Sequence, residues 1–384
     1  MSTDGDLDGD TPAILQPQAI PFLLVHVSCL AAFWTGVTWQ ALALCVGLYW
    51  LRIFAIGAGY HRYFSHRAFS TSRVFQFVLA FLAQTSAQNS VLWWASMHRR
   101  HHLFSDTALD THSPRQRGFL YAHVGWIFDA RHIKTDLVRV GDLARFPELA
   151  WLDRFELFPA FLVGLGCFLL AGWSGLVVGF LWSTVLVYHA TFSINSLAHV
   201  HGSRRYVTGD DSRNNGLLAL ITMGEGWHNN HHACQSSVRQ GFRWWEVDAT
   251  FYILRALSWI GVVWDLKLPP RALVRGEQRL GARVIERAAE QLAMRFNPEP
   301  IAHAIAAALH GPELAALQAS LVHAQHRSSE ILAAMHLPQV PSRDAVVARA
   351  KAMLAKTPSL DEIVDRAHGI LLTAVSARLV EVEI

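Results

Sequence analysis

The sequence predicts an all-α integral membrane protein with four transmembrane helices, in two hairpins, and a cytoplasmic helical cap that carries the histidine clusters. Three observations predict this fold. Of the 384 residues, 52% are hydrophobic and 16% are charged, whereas a soluble domain averages about a quarter charged residues. The long apolar runs come in two pairs, each joined by a short turn without charge. The clustered histidines all lie outside these runs.

Four of the apolar runs are close to the length that crosses a bilayer. They cover about residues 20–35, 41–58, 155–171 and 175–198. No lysine or arginine occurs before Arg52, and none occurs between Phe155 and Ser203. By the positive-inside rule, both hairpin turns face outward and the basic segments face the cytoplasm. We therefore expect an integral membrane protein with its active site on the cytoplasmic side, in the inner membrane if the protein is bacterial.

A fifth apolar stretch, from Val74 to Ala95, is predicted to lie on the cytoplasmic face or dip into it. A crossing there would place His61 and His66 on the opposite side of the membrane from His98. Polar residues between Gln84 and Asn89 also interrupt the run. Four crossings, in contrast, keep every histidine cluster on one side.

The two ends of the chain differ from its middle. Residues 1–18 contain four aspartates and no basic region of a signal peptide, which predicts a disordered acidic tail. Residues 19–269 form the predicted membrane domain. Residues 270–384 are rich in Ala, Arg, Glu and Leu with helical periodicity, and predict a cytoplasmic helical extension.

The pattern H-x-x-H-H occurs twice, at His98 to His102 and at His228 to His232. Its spacing places the three rings of each copy on one face of a helix. A looser pair, His61 and His66, diverges by roughly 140° on an α-helix, so we expect it to straddle a helix end or to serve different metals. His199 ends the last apolar run, four residues after Asn195.

Counting His199, these patterns supply nine candidate imidazoles, too many for one metal and enough for two. Ligands that are all imidazole disfavour an iron–sulfur or blue-copper centre. The residues thus predict a bimetal site at the cytoplasmic membrane face. Ligand histidines need a partner for the second ring nitrogen. The candidate partners are Asp106, Asp110, Asp129, Asp211 and Glu225, and the histidines expected to be structural are His26, His112, His123 and His189.

The clusters, together with GEGWHNNHH at Gly224–His232 and NSLAH at Asn195–His199, resemble the integral-membrane fatty acid desaturases, specifically the acyl-CoA (stearoyl-CoA, Δ9-type) branch. The likeness runs from about Ile53 to Trp264. It implies two irons, with Asn195 holding one of them through a water. The implied iron ligands are His61, His66, His98, His101, His102, His199, His228, His231 and His232. The implied reaction inserts a cis double bond into a saturated acyl chain with O2 and two external electrons, and it releases two waters.

An acyl chain that reacts at an unactivated CH2 must be held in a dry, bent tunnel. The residues expected to line it are Trp93, Trp94 and Phe104, of which Trp94 matches a tryptophan of the family. A basic surface is expected either to bind the phosphates of a CoA thioester or to face anionic lipid heads. It comprises Arg100, Arg115, Arg117, Arg131 and Lys134. Chain length, double-bond position and carrier (CoA, acyl carrier protein or phospholipid) stay open.

The partners are predicted as follows. The sequence contains no haem-binding HPGG, so we expect a separate electron donor, such as a ferredoxin with its reductase or a cytochrome b5-like protein. Residues 270–384 are a candidate docking region for that donor or for a partner subunit. We expect no nucleic-acid partner. Two alternative functions stay open: a related membrane di-iron hydroxylase or ketolase acting on a lipid or hydrocarbon, and a non-catalytic membrane metal-binding or regulatory protein.

Overall fold

A computed structural model describes residues 19–324 and 326–382, which are mostly helical. The predicted acidic tail, residues 1–18, lies outside the described residues. The chain folds into two compact units. Of the described residues, the first unit comprises those up to Ser203 together with Ser212–Pro269, and the second comprises Arg204–Asp211 and those from Pro270 onward.

In the part of the chain that the structure describes, the first unit contains fourteen α-helices and one small sheet. The α-helices are α1 (Ile20–Ser28), α2 (Ala32–Thr35), α3 (Trp39–Ala55), α4 (Arg73–Gln84), α5 (Val91–Phe104), α6 (Pro114–Arg117), α7 (Phe119–His123), α8 (Gly141–Ala144), α9 (Pro147–Arg154), α10 (Phe158–Ser174), α11 (Ser183–Ser196), α12 (Gly216–Ile221), α13 (His228–Ala233) and α14 (Ala249–Trp259). Short 3₁₀ turns cover Cys29–Ala31, Gly125–Phe128, Ala130–His132 and Leu197–His199, and π-helical turns cover Ile56–Ser65 and Gly175–Trp182. Strands β1 (Ser70–Thr71) and β2 (Val263–Trp264) pair antiparallel, with Ser70 opposite Trp264.

Among the described residues, two helical runs are long and apolar enough to cross a membrane: Trp39–Ser65, with 27 residues, and Phe158–His199, with 42. The run Ile20–Thr35 is apolar but shorter. α3 begins where the hydroxyl of Thr38 accepts a hydrogen bond from the backbone N–H of Ala41. It then continues without interruption through the π-helical turn to Ser65, beyond the predicted end at residue 58.

The run Phe158–His199 turns back on itself. Ala171 and Gly172 leave the helical region, and Gly172 has φ of 60°, which favours glycine. A Cβ at Gly175 would lie 2.1 Å from the carbonyl oxygen of Cys167, and one at Gly164 would lie 3.5 Å from the ring of Phe180. Because these contacts are spaced symmetrically about the turn, the two arms pack antiparallel. The predicted runs 155–171 and 175–198 are therefore the arms of one hairpin.

The turns of the two predicted hairpins meet. The Ser174 hydroxyl accepts from the backbone N–H of Thr38 at 3.3 Å and donates to the carbonyl oxygen of Gly36 at 3.0 Å. Both turns thus lie at the same end of the helices.

The fifth apolar stretch is broken, as the polar residues predicted. α4 ends at Gln84 and α5 begins at Val91, with left-handed Ala87 (φ 56°) and Asn89 (φ 59°) between them. The Ser90 hydroxyl then accepts from the backbone N–H of Trp93 and caps α5. Where this break lies relative to a membrane stays a prediction.

The second unit is built around its longest helix. Its helices are α15 (Arg271–Arg275), α16 (Ala282–Met294), α17 (Pro298–Ala308), α18 (Gly311–His323), α19 (Ser328–Ala334), α20 (Arg343–Met353) and α21 (Leu360–Glu381). Buried Leu371 and Val375 of α21 pack in one apolar core with Leu292 and Ile305. Val207, from the excursion Arg204–Asp211, belongs to the same core. The role of this unit stays a prediction.

Candidate metal centre

Five histidines from three parts of the chain converge on one point. They are His61, His66, His98, His102 and His231, and one ring nitrogen of each lies within 4.8 Å of the others. The Nε2 atoms of His66 and His98 are 2.8 Å apart, and those of His98 and His102 are 3.0 Å apart. For metal–nitrogen bonds of about 2.0–2.1 Å, neighbouring ligand nitrogens lie about 2.9–3.4 Å apart. The first cluster therefore has the dimensions of a ligand shell.

His61 and His66 belong to the same cluster, which the α-helical spacing did not predict. The reason is the π-helical turn at Ile56–Ser65. The backbone N–H of His66 bonds to the carbonyl oxygen of His61 at 3.2 Å, which is the i→i+5 bond of a π-helix. This wider turn brings residues five apart onto one face. His66 directly follows the last residue of the turn, so the expectation that the pair straddles a helix end is confirmed, whereas the alternative that the two rings serve different metals disagrees with their common cluster.

A second cluster contains four buried histidines, His101, His199, His228 and His232, whose ligand nitrogens also lie within 4.8 Å of one another. The Nε2 atoms of His199 and His228 are 3.0 Å apart. Each H-x-x-H-H pattern is thus divided: α5 and α13 both supply histidines to the two clusters. The sequence placed the three rings of each pattern on one face, but it did not show this division.

Three of the five predicted carboxylates accept a hydrogen bond from a histidine of the two clusters. Asp110 accepts from Nδ1 of His101 at 2.9 Å, and Asp106 accepts from Nδ1 of His199 at 2.9 Å. Because an ionised carboxylate can only accept, Nδ1 carries the proton and Nε2 presents its lone pair. Nε2 of His101 is buried without a hydrogen-bond partner among the described residues.

Glu225 is the third of these carboxylates, and it accepts from Nδ1 of His61. It also accepts from Nη2 of Arg62 at 2.8 Å and from the amide of Gln240 at 3.3 Å. Although burial raises the pKa of Glu225, His61 and Arg62 lower it to about 2. The carboxylate is therefore charged at neutral pH.

Arg62 is fully buried and links this network to a second carboxylate. Its guanidinium donates to Asp248 at 3.1 Å and to the carbonyl oxygen of Val238 at 2.7 Å. Sequence reasoning missed Arg62, Gln240 and Asp248. Only Arg62 carried a signal, because it directly follows a ligand candidate.

His112, which was expected to be structural, lies beside the second cluster. Its ring centroid is 4.5 Å from that of His101, and with Asp110 these residues form a third group that could hold a metal. Burial and the neighbouring His101 lower the pKa of His112 to about 3. Since Asp110 already accepts from His101, we treat His112 as a neighbour of the second cluster.

The other two predicted carboxylates pair with arginines. Asp129 accepts from Arg117 at 2.8 Å and from Arg131, and Asp211 pairs with Arg204 at 3.4 Å within the second unit. Although burial raises the pKa of Asp129, hydrogen bonds led by that from Arg131 hold it well below its usual range. Spacing could not assign these partners, because Asp106 and Glu225 reach their histidines across 93 and 164 residues.

The comparison with protein families identifies the chain. A family model described as fatty acid desaturase matches residues 37–260, which include both histidine clusters. The chain belongs to the fatty acid desaturase family. It is accordingly an oxidoreductase that acts on fatty acyl chains.

The relatives of this desaturase include proteins named as acyl-CoA desaturases and proteins named as acyl-lipid desaturases. It is 37% identical over 249 residues to an acyl-CoA 5-desaturase of Anemone leveillei, covering 64% of this chain and 77% of the relative. It is 36% identical to an sn-1 stearoyl-lipid 9-desaturase of Anabaena variabilis, covering 67% and 95%. It is 38% identical to Delta-9 acyl-lipid desaturase 1 of Arabidopsis thaliana, covering 66% and 83%. These names place the chain among the acyl Δ9-type desaturases.

A cavity of about 470 Å³ adjoins the first cluster of the desaturase. Trp93, Trp94 and His98 line it, and Asn195 faces it from the end of α11. Trp94 stacks on His98 with ring centroids 4.9 Å apart. Within the described part of the chain, Phe104 is not among the lining residues. Lining of an acyl tunnel by Trp93, Trp94 and Phe104 stays a prediction.

The predicted basic surface of the desaturase is partly neutralised. Arg117 and Arg131 share Asp129, which itself lines the cavity. Nε of Arg100 donates to the carbonyl oxygen of Leu109 at 3.3 Å. Arg115 and Lys134 are exposed. Binding of an acyl carrier by these side chains stays a prediction.

Proposed function

We propose that this desaturase holds two irons and uses O2 and two external electrons to insert a cis double bond into a saturated fatty acyl chain, with an acyl-CoA desaturated at Δ9 as the substrate. The observation that carries this proposal is the pair of adjacent clusters of five and four imidazoles. A structural zinc is satisfied by four ligands and does not require the second cluster.

The donor set fits iron. Imidazole nitrogen suits iron, and both clusters lack the thiolates that favour zinc or iron–sulfur chemistry. The first cluster would hold one iron, and the second would hold the other. Asn195 would bind one of the two irons through a water. When bound, the irons supply the oxidising power that removes hydrogen from an unactivated CH2.

The protein's own residues position the substrate and exclude water. An acyl chain in the cavity passes the Trp94 ring, which packs between Tyr60, at 5.3 Å, and His98. A held chain presents the same carbons to the reacting centre at every turnover, and this fixes the position of the double bond. Glu225, Asp110 and Asp106 fix the orientation of the ligand rings.

The carrier is the least constrained part of the proposal. The relatives' names include both acyl-CoA and acyl-lipid desaturases. The charges of Arg117 and Arg131 are partly neutralised by Asp129. Purified enzyme given stearoyl-CoA and a di-stearoyl phospholipid in parallel tests the choice. Unsaturated product from the lipid alone would refute the acyl-CoA assignment.

We also propose that the two hairpins cross the bilayer four times and that the clusters lie on the cytoplasmic side, where a separate ferredoxin or cytochrome b5-like donor reaches them. The meeting of the two turns at Ser174 supports a common side for both. Single cysteines at exposed Trp173 and Lys134, in a chain with its native cysteines replaced, should react with an impermeant reagent from opposite sides. Labelling of both from one side would contradict this topology.

The reaction itself is tested in cells that make only saturated fatty acids. Expression should yield monounsaturated chains, whose double bonds mass spectrometry can locate. His228→Ala should abolish the product while membrane insertion is kept, and His303→Ala, at an exposed position of α17, serves as the control. A hydroxylated or keto product would instead favour the alternative function.

A further inference from the structure

Helix α14 exposes an apolar face, although its opposite face is already buried. Leu254 is 0% exposed and packs in the core of the first unit. The outward face carries Tyr252, Ile253, Trp259 and Ile260, at positions i, i+1, i+7 and i+8 of the helical repeat. Trp259 and Ile260 are 75% and 73% exposed. Because a helix that is apolar on two opposite faces is normally covered on both, the outward face requires an apolar cover of its own.

Two neighbouring segments also expose apolar side chains. Helix α12 exposes Leu217 and Leu220, and the loop before α14 exposes Trp244. The backbone N–H of Thr250 donates to the carbonyl oxygen of Met223 at 3.0 Å, which joins the start of α14 to the residues that follow α12. We call the exposed side chains of these segments the apolar surface: Leu217, Leu220, Trp244, Trp245, Val247, Tyr252, Ile253, Trp259 and Ile260.

The apolar surface adjoins the helical run Trp39–Ser65, which contains one of the proposed membrane spans. A Cβ at Gly57 of this run would lie 3.3 Å from Oγ1 of Thr250 in α14. Gly57 lies about 27 Å beyond Trp39 along the helix, and the hydrocarbon core of a bilayer is about 30 Å thick. α14 therefore begins close to the membrane boundary on the side of the histidine clusters.

The end of α12 is satisfied by a residue of the same span. The last carbonyl groups of a helix have no partner within the helix, and an unpaired carbonyl is costly in lipid. The hydroxyl of Tyr49, in α3, donates to the carbonyl oxygen of Ile221 at 2.8 Å. Tyr49 lies about two helical turns before Gly57 and thus deeper in the proposed bilayer. A donor from the span thus takes the place of the water that would bind this carbonyl in solution.

The charged side chains next to the apolar surface are basic. Arg255, in α14, is exposed, and Arg243, directly before Trp244, is partly exposed. The acidic residues of the segment 213–264 are all buried: Glu225, Glu246 and Asp248. Anionic lipid heads attract basic side chains at the membrane surface, and Trp and Tyr are enriched at the boundary between lipid and water. The composition of this surface therefore matches a lipid surface.

We propose that the apolar surface of α12 and α14 inserts into the bilayer leaflet on the side of the histidine clusters, with Arg243 and Arg255 at the level of the anionic lipid heads. The inference rests on the membrane crossings proposed above. It gives the protein a second attachment to the membrane, made by segments that the predicted topology placed in the cytoplasmic cap.

This attachment reaches both histidine clusters through α13, which lies between α12 and α14 in the chain. Nδ2 of Asn230, in α13, donates to Glu246 at 2.9 Å. Nε1 of Trp227, directly before α13, donates to the carbonyl oxygen of Val247 at 2.8 Å. Since α13 supplies histidines to both clusters, insertion of the apolar surface fixes the height of the clusters above the acyl chains of the bilayer.

The proposal is tested by fluorescence quenching in nanodiscs, with a single labelled cysteine in a chain whose native cysteines are replaced. Leu220→Cys and Trp259→Cys carry the label on the apolar surface. Leu169→Cys, exposed on α10, is the lipid-facing control, and Lys134→Cys, also exposed, is the water-facing control. Lipids brominated on their acyl chains should quench the labels at 220 and 259 as they quench the label at 169, whereas iodide should quench only the label at 134.

The other outcomes separate this inference from the proposed spans. Quenching at 220 and 259 by iodide alone, with the label at 169 quenched by brominated lipid, would refute the insertion and leave the spans intact. The absence of both kinds of quenching would show that a protein, such as a second copy of this chain, covers the surface, and would also refute the lipid assignment. Quenching at 169 by iodide would refute the spans and the insertion together.

A second measurement tests the two arginines. Brominated lipid should quench the label at 259 more strongly in nanodiscs of anionic lipid than in nanodiscs of zwitterionic lipid. The double variant Arg243→Gln/Arg255→Gln should lose this difference, and Arg349→Gln, at an exposed position of α20, is the matched control that should keep it. A difference that persists in the double variant would refute the role of the arginines at the lipid heads.

Discussion

Replacing Glu225 by glutamine should weaken one metal site and spare the other. The carboxylate accepts from His61 through one oxygen and from Arg62 through the other. A glutamine side chain keeps the volume but retains a single acceptor oxygen, so either His61 or Arg62 loses its partner. His61 belongs to the five-histidine cluster, whereas the four-histidine cluster depends on Asp106 and Asp110.

The expected loss of iron affinity follows from the contact between Glu225 and His61, which orients the ring of His61. Removal of a carboxylate that orients a ligand histidine typically costs about 10–100-fold in metal affinity. This corresponds to about 1.4–2.7 kcal/mol. Arg62 keeps Asp248, at 2.9 Å, as a second buried partner. We therefore expect the additional cost to folding to stay within about 1–3 kcal/mol, below that of leaving a buried charge alone.

The assay is a competition for iron between the purified protein and a graded chelator, with the bound iron counted per chain. The wild type should lose both irons together at high chelator, whereas Glu225→Gln should lose one iron at 10–100-fold lower chelator activity, roughly as the ligand-partner estimate requires. Asp106→Asn is the matched variant for the other cluster and should also keep one tight iron. The double variant should keep neither.

Two results would refute this reasoning. Equal weakening of both irons by Glu225→Gln would show that the two clusters do not bind separately. Unchanged affinity would show that the contact between Glu225 and His61 does not orient a ligand.

Three further predictions concern residues that surround the histidine clusters and the cavity. Although burial raises the pKa of Asp142, hydrogen bonds led by that of Arg99 lower it to about 2. Asp142→Asn should therefore lower the unfolding temperature at pH 7. This difference in unfolding temperature should shrink as the pH falls from about 4 toward 2, because the wild-type carboxylate is then protonated. Thermal unfolding of the wild type and of Asp142→Asn in micelles at both ends of this pH range measures the difference. A difference in unfolding temperature that does not change with pH would contradict the prediction. A Cβ at Gly57 would lie 2.8 Å from Oε1 of Glu225; Gly57→Ala should reproduce the single-iron loss in the chelator titration, and Gly47→Ala, with nothing within 4 Å, should not. Met97→Trp should narrow the cavity and reduce turnover of long saturated chains more than of short ones, and equal loss across a series of chain lengths would count against the cavity as the acyl site.

Local patterns account for most of what the sequence predicted correctly. The division of the apolar runs by Gly172 and by the polar residues after Gln84 reflects backbone preferences that act over a few residues. The family membership likewise follows from short motifs, which the match over residues 37–260 confirms. The acidic tail, the membrane crossings and the role of the second unit stay predictions.

The sequence by itself determined which side chains were available: repeated imidazoles at helical spacing, without thiolates, beside apolar runs. Only the tertiary structure decided how they are grouped. It divided each H-x-x-H-H pattern between two clusters, joined His61 to His66 through a π-turn, and selected Asp106 over Asp129. The physical reason is that helix spacing orients a ring only relative to its own helix axis. A ligand shell depends instead on how separate helices pack, and so does the contact of His26 with His189 across 163 residues.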